Sequence, residues 1–411
     1  MVPNKPLQTI SLFTGAGGLD FGFEAAGFET AVAVEMDSAC CKALRANRRW
    51  PVIEDDIHDV EVSRMLAVAG LEPGEADMLI GGPPCQPFSK SGYWVSGDSR
   101  RLEDKRADTL SAYLRVLEES QPRAFLLENV AGLAFRGKDE GLERILGGIR
   151  EINARTGTNY KPVWRVLNAA EFGVPQFRER VFIVASREGV PFDFPQPRFG
   201  SPEALETGQL PYRTTWDAIG DLPAQPNAEA LGASGKWAGL LPTIPEGQNY
   251  LWHTRRGGGL PLFGWRTRYW NFLLKLAKDR PSWTIQAQPG SATGPFHWSN
   301  RKLSARELAR LQTFPDTIDL PTNRSEAQRL IGNAVPSLMA EVLAREIAVQ
   351  LLSCDPYQQE PKLLPPRRCS CPPAEIALPV SRPYLALIDE HDDHPGTGLG
   401  RGALLRAKQA A

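Results

Sequence analysis

Over its first 186 residues the chain alternates short apolar runs with amphipathic stretches. Gln8–Phe13, Thr30–Glu35, Val52–Glu54, Asp77–Ile80, Ala124–Leu127, Val163–Leu167 and Val181–Ala185 read as strands. Between them, Ser38–Asn47, Thr109–Glu119 and Leu142–Asn153 carry helical periodicity. This rhythm predicts an α/β fold whose parallel sheet is covered by helices on both faces. Near residue 187 the rhythm stops, and residues 187–302 are rich in Pro, Gly, Trp and Arg, as a second, irregular lobe would be. Helical periodicity returns at Leu303–Thr313 and Pro336–Leu352, where Pro336 suits a first helical turn. These last helices are expected to pack back on the sheet. The first domain is then discontinuous, residues 1–186 with 303–352. Residues 353–411 are Pro-rich and sparsely apolar, and are expected to be a poorly ordered tail.

Composition changes this picture little. With 411 residues, 42% hydrophobic and 23% charged at a formal net charge of −1, the chain can bury a large core and total charge names no partner. The first residues lack the apolar stretch of a signal peptide, and no run approaches the ~20 residues of a membrane span. Six cysteines show no disulfide-framework spacing, so free thiols in a reducing cytoplasm are expected. Cys369, Cys371, His391 and His394 match no zinc module, and no metal is expected.

Chemistry concentrates at the predicted strand ends. Gly81-Gly82-Pro83-Pro84-Cys85-Gln86-Pro87-Phe88-Ser89 follows a buried strand. Glycines there let the backbone approach a ligand, and prolines restrict where the thiol points. A lone Cys is more often buried and inert, but Cys85 sits among turn residues, as a nucleophile would. Phe13-Thr14-Gly15-Ala16-Gly17-Gly18 follows the first strand, and Glu35 lies 20 residues beyond Gly15, where an acid meets ribose hydroxyls. A dinucleotide fingerprint needs a third glycine where Asp20 stands, so a plain turn and a dinucleotide site both remain open. Asp56 offers another acceptor at the same edge, although it and Glu35 could equally be surface acids. Glu128, after the fifth strand, could share a proton with whatever Cys85 attacks, or simply be solvated. Alternation places Gln176, Arg178 and Arg180 on one face, where two guanidiniums suit an anion or a ring oxygen. Between Tyr250 and Arg310, eleven cations face only Asp279 and Glu307 and are interleaved with Trp252, Trp265, Tyr269, Trp270, Trp283, Phe296 and Trp298, a composition that fits nucleic acid.

Pro-Pro-Cys-Gln-Pro-Phe-Ser at 83–89, Glu128-Asn129-Val130, the Gln176, Arg178, Arg180 alternation and Gly332-Asn333-Ala334-Val335-Pro336 stand in one order. Together they closely resemble the DNA cytosine-5 methyltransferases of bacteria and phages, over about residues 8–186 and 303–350. The resemblance implies a class I methyltransferase fold, a Rossmann-like, mostly parallel sheet, with an inserted irregular target recognition domain. It implies S-adenosylmethionine as cofactor, held by Phe13, Gly15, Ala16 and Gly18, by Glu35 and Met36 at ribose and adenine, by Asp56 and Ile57, by Leu110, and by Asn333 and Val335 on the far wall. Asp20 is thereby explained, since the glycine turn serves adenosylmethionine. Ser11 and Ser337 depart from residues common in the family. It further implies that Cys85 attacks carbon 6 of a cytosine flipped from double-stranded DNA, helped by Glu128, Arg178 and Arg180. Ser89–Arg101 is expected to close over the DNA. The implied enzyme is a cytoplasmic monomer with no membrane association, solitary or beside a cognate restriction endonuclease. A tRNA cytosine-5 methyltransferase and an inert DNA-binding relative are the alternatives.

Overall fold

The computed structural model describes residues 6–84, 108–135, 140–223, 231–266 and 269–393. Cys85, the Ser89–Arg101 segment and His394 lie outside the described residues. Seven strands form one sheet: β1 (Leu7–Leu12), β2 (Phe28–Glu35), β3 (Val52–Glu54), β4 (Met78–Gly81), β5 (Ala124–Val130), β6 (Val163–Asn168) and β7 (Glu179–Ser186). Their order is β3-β2-β1-β4-β5-β7-β6. The first five are parallel, and β7 runs antiparallel to both neighbours, β5 and β6. β7 can enter beside β5 because it follows β6 as a returning strand, which needs no crossover helix.

Helices cover both faces, as the rhythm predicts, and α2 (Ser38–Asn47) follows β2. On one face α3 (Val62–Ala69), α4 (Asp108–Ser120) and α5 (Glu140–Thr156) bury Met65, Val116, Leu117, Ile145 and Ile149 against Leu79, Phe125 and Ile183. On the other, α1 (Gly18–Ala25) and the last long helix bury Leu19, Phe23, Leu338, Leu343 and Ile347 against Ile80, Leu126 and Val184. The late helices α7 (Ala305–Leu311), α8 (Arg324–Asn333) and α9 (Ser337–Leu351) follow α6 (Thr215–Ile219) of the second lobe. α9 lies so close to α1 that a Cβ at Gly22 would fall 2.3 Å from Ser337 O, so only glycine fits. Pro336 is the N-cap of α9 and stands one position before the expected first turn.

The second lobe has little regular structure and a small core of Leu240, Ile244, Tyr250, Leu262 and Leu273, ringed by Trp237, Phe263 and Phe272. The segment from 354 to 393 corrects the expectation of a poorly ordered tail, and residues 394–411 lie outside the described residues. It crosses from α9 to the far end of the second lobe. The Lys362 and Leu363 amides donate to buried Glu341, Arg367 and the Arg368 amide bind Asp217, and the Leu378 amide donates to Pro242 O. Tyr384 Oη donates to Lys236 O, and Trp265 N to Asp393 Oδ1 at 2.7 Å. Such a strap is held by isolated anchors on other elements, so it carries no periodic pattern of its own. Removing residues 362–411 leaves Asp217 without Arg367 and the Arg368 amide, and Glu341 without the Lys362 and Leu363 amides. Calorimetry of the truncated chain is expected to show the second lobe melting earlier than the sheet domain.

Candidate active site

Strand order reverses between β1 and β4, so the loops after these two strands open a crevice at the carboxyl edge, where open α/β sheets bind ligands. The loop after β1 is tightly wound. Phe13, Gly15 and Gly17 all have positive φ, at 53°, 58° and 82°. Glu35, the last residue of β2, clamps it: Gly15 N donates to Oε2 and Asp37 N to Oε1, each at 2.8 Å. Each carboxylate oxygen keeps a second lone pair for a ligand hydroxyl. Met36 beside it is 66% exposed, a large apolar side chain offered to solvent at a ligand edge. Asp56 accepts from the His58 amide at 3.0 Å and faces its ring at 2.7 Å, and these bonds hold its carboxyl below the usual range. Asn333 is exposed at the end of α8, with Ala16 partly buried across the loop.

Three of the proposed pocket residues do not present open side chains. Ile57, Leu110 and Val335 are 5%, 2% and 6% exposed and belong to the hydrophobic cores on either face of the sheet. Gly18 has a packing role, because a Cβ there would lie 2.3 Å from Val335 O. It draws the start of α1 against the Ala334–Pro336 turn, so the glycine loop and the late helices form one wall.

Asp20 is fully buried beneath this loop. Thr30 Oγ1 donates to its Oδ1 at 3.1 Å, while Oδ2 has no partner. Burial pushes its pKa up to about 6, with Ser11 and Thr30 pulling it back. A carboxyl raised in the folded state favours folding at low pH, and that contribution is lost as pH rises from about 4 through 6. Asp20→Asn is therefore expected to be more stable than the wild type at pH 8, and its advantage at pH 5 to be smaller by about 1–2 kcal/mol. Urea midpoints of both proteins at the two pH values check this.

On the other side of the crevice, β5 and β7 both extend beyond their predicted ends, so Glu128 and Arg180 lie inside paired strands. Glu128 is opposite Phe182, which places Arg180 diagonally next to it on one face. Arg180 Nε meets Glu128 Oε1 at 2.9 Å, with both side chains largely buried. The other carboxylate oxygen would lie 2.8 Å from a Cβ at Gly82, three residues before Cys85. Burial raises the Glu128 carboxyl above the usual range, opposed by Arg180 and Arg178. Beside this pair a cavity of about 560 Å³ opens between Val130, Phe135, Asn168, Phe177, Trp283 and Thr284.

Arg178 corrects its expected orientation. It is 2% exposed, and its Nη2 donates to Gly332 O and Ala334 O at 2.9 Å each. It ties the turn before α9 to the end of the sheet and does not face the crevice. Gln176 acts similarly, donating to Leu311 O and accepting from Ile285 N. Two residues not assigned a role from sequence fix the cysteine loop. Asn129 Nδ2 donates to Pro83 O at 3.1 Å, and Thr109 Oγ1 to Pro84 O at 3.2 Å. Only the neighbourhood of Asn129 to Glu128 could have signalled this.

The cation excess of the second lobe is partly consumed inside the protein. Lys275 and Lys278 are each 3% exposed, the first bound to Ile244 O and the second paired with Glu246. Arg301 pairs with Glu307, and Arg310 with Asp221 and Asp316. Arg255 and Arg256 meet Asp389 and Asp393 of the strap. Tyr269 and Trp270 remain about half exposed.

An open sheet furnished in this way at its switch point is the class I methyltransferase fold. Residues 7–349 match the family of C-5 cytosine-specific DNA methylases, and the chain belongs to that family, as an enzyme of methyl transfer to DNA cytosine. It is 40% identical to the Type II methyltransferase M.SacI of Streptomyces achromogenes, over 85% of this chain and 94% of that protein. It is 45% identical to the Type II methyltransferase M.AquIA of Picosynechococcus over 55% of this chain and 94% of that protein. The solved structure of the Entamoeba histolytica methyltransferase EhMeth shares the fold, with a TM-score of 0.58 at 12% identity over 85% of this chain and 99% of that one.

Proposed function

We propose that the chain uses S-adenosylmethionine to methylate carbon 5 of a cytosine flipped from duplex DNA, through a covalent bond to Cys85, as the modification enzyme of a Type II system. The observation that carries the reading is the buried Glu128–Arg180 pair, set against Gly82 and opposite the Glu35-clamped glycine loop. The loop residues fit the cofactor: Glu35 has free lone pairs, Met36 is an exposed apolar surface, and Asp56 and Asn333 are polar groups at the same edge. When bound, the sulfonium supplies a methyl group with a neutral leaving group, so the chemistry calls for no metal. Asn333 and the Gly15–Gly18 turn would hold it, with Arg178 positioning the turn before α9 from beneath.

The remaining work falls to the chain. The Cys85 thiolate attacks carbon 6, and carbon 5 becomes enamine-like. Glu128, whose protonated form burial favours, donates to ring nitrogen 3 as charge develops there. Arg180 steadies the ring oxygen and keeps Glu128 oriented. Asn129 and Thr109 hold the Pro83 and Pro84 carbonyls, limiting where the thiol can travel. After transfer, carbon 5 loses its proton to water and Cys85 departs. The second lobe with its strap would be the target recognition domain. The enzyme would act as a cytoplasmic monomer, independently of any cognate endonuclease. Methyl transfer to duplex DNA and to tRNA should be compared, followed by bisulfite sequencing of DNA from cells expressing the protein. Methylation of tRNA alone, or of scattered cytosines with no common flanking bases, would overturn the reading.

A further inference from the structure

A cavity of about 530 Å³ lies away from the base pocket, on the seam between the second lobe and the start of α8. Lys302 and Arg324 stand on its wall, and neither has a carboxylate within ion-pair distance among the described residues. That is unusual for the neighbourhood, where Arg301, Arg310 and Arg329 all pair with acids. Arg324 uses Nε on Leu303 O, and its two terminal nitrogens have no hydrogen-bond partner among the described residues. Gln328 also lines the cavity. It is 6% exposed, donates Nε2 to Gln286 O at 3.0 Å, and leaves Oε1 buried without a partner. Ser291 and Ser325 add hydroxyls, and Glu326 is the only acid on the wall among the described residues.

We propose that this cavity seats a backbone phosphate of the DNA strand beside the flipped base, held by Lys302 and Arg324. These two cations supply the charge. A water carried by the hydrated phosphate supplies the donor that Gln328 Oε1 lacks. Position favours a DNA phosphate over a free one. One chain segment runs from Thr284, which lines the base cavity, to Ser291, which lines this one. An extended chain covers at most about 3.5 Å per residue, so the two cavities lie within roughly 25 Å, less than the roughly 34 Å of one duplex turn. The proposal rests on the duplex-DNA reading above.

Binding of the full-length protein to a target duplex and to a scrambled duplex should be measured from about 50 to 200 mM salt. Lys302→Ala is expected to weaken both complexes by the same factor, about three- to tenfold, and to reduce the salt slope by about one. Arg324→Lys, which keeps the charge on a residue packed at the start of α8, is expected to keep the slope and guards against misfolding as an explanation. A salt-dependent wild type with an unchanged Lys302→Ala slope, or a loss confined to the target sequence, removes the phosphate seat alone. Duplex binding by the wild type that ignores salt removes the DNA reading and the seat with it. Inorganic phosphate that competes with the wild type but not with Lys302→Ala, while the duplex slope stays constant, makes this a free-anion site and overturns the proposal.

Discussion

Cys85→Ser is expected to lower methyl transfer by about 10⁴-fold or more while changing cofactor and duplex affinity by no more than about threefold. The argument is one of nucleophile chemistry. A thiol ionises near neutral pH, whereas a serine hydroxyl would need a strong base beside it, and the carboxyl set against Gly82, that of Glu128, is already engaged by Arg180. Binding should survive, because the cofactor loop is built by Gly15, Gly17 and Glu35 on the other strand of the switch point. The loop leading to Cys85 is anchored through backbone carbonyls of Pro83 and Pro84, which the substitution leaves alone. A duplex containing 5-fluorocytosine gives a second readout. Fluorine cannot leave carbon 5 as a proton does, so the wild type should accumulate a covalent adduct stable on a denaturing gel, and Cys85→Ser none. Substantial turnover by the serine variant would rule out covalent catalysis at this position.

Much of the fold was legible because parallel strands in a doubly wound sheet are short apolar runs, and each of the seven was found within a few residues of its observed ends. The periodicity could not give their direction. That β7 runs antiparallel depends on its place between β5 and β6, a tertiary choice. α3 and α8 went unassigned for opposite reasons. α3 has only eight residues, and α8 is mostly polar, with Leu330 and Ile331 its only large apolar side chains and Ala327 its only small one, all buried. The strap was read as a tail because its Pro-rich segments meet their partners, Glu341, Asp217 and Pro242, on other elements.

At the site, residue type and strand-end position were enough to single out Glu35, Glu128 and Arg180. Depth was not legible. Alternation groups Gln176, Arg178 and Arg180, yet Gln176 and Arg178 are bound to carbonyls inside the protein, and only Arg180 reaches the carboxyl beside Gly82. Charge counting failed in a similar way. The cation excess between Tyr250 and Arg310 meets acids from outside that window, Asp221, Glu246, Asp316, Asp389 and Asp393. A window of sequence sums charges, while a fold pairs them.

Glu128→Gln and Glu128→Ala should separate the two roles of this carboxyl. Glutamine keeps an oxygen for Arg180 Nε and an N–H for the ring, but cannot transfer a proton, so kcat is expected to fall by about 10²- to 10⁴-fold with the fold intact. Alanine also leaves the buried Arg180 guanidinium unpaired and should cost about 3–5 kcal/mol of stability in addition. The pH profile gives the sign. Burial raises Glu128, so its protonated form persists above the usual carboxylate range and is lost as pH rises through the raised value. The wild-type kcat should therefore decline on the alkaline side of that value, and the glutamine variant should lose this limb because its donor does not titrate. The Cys85 thiol acts in the opposite sense, since higher pH favours the thiolate, so the wild type should show a bell and Glu128→Gln a single rising limb. A glutamine variant that keeps the full bell would show that the falling limb belongs to another group and that Glu128 serves only to hold Arg180.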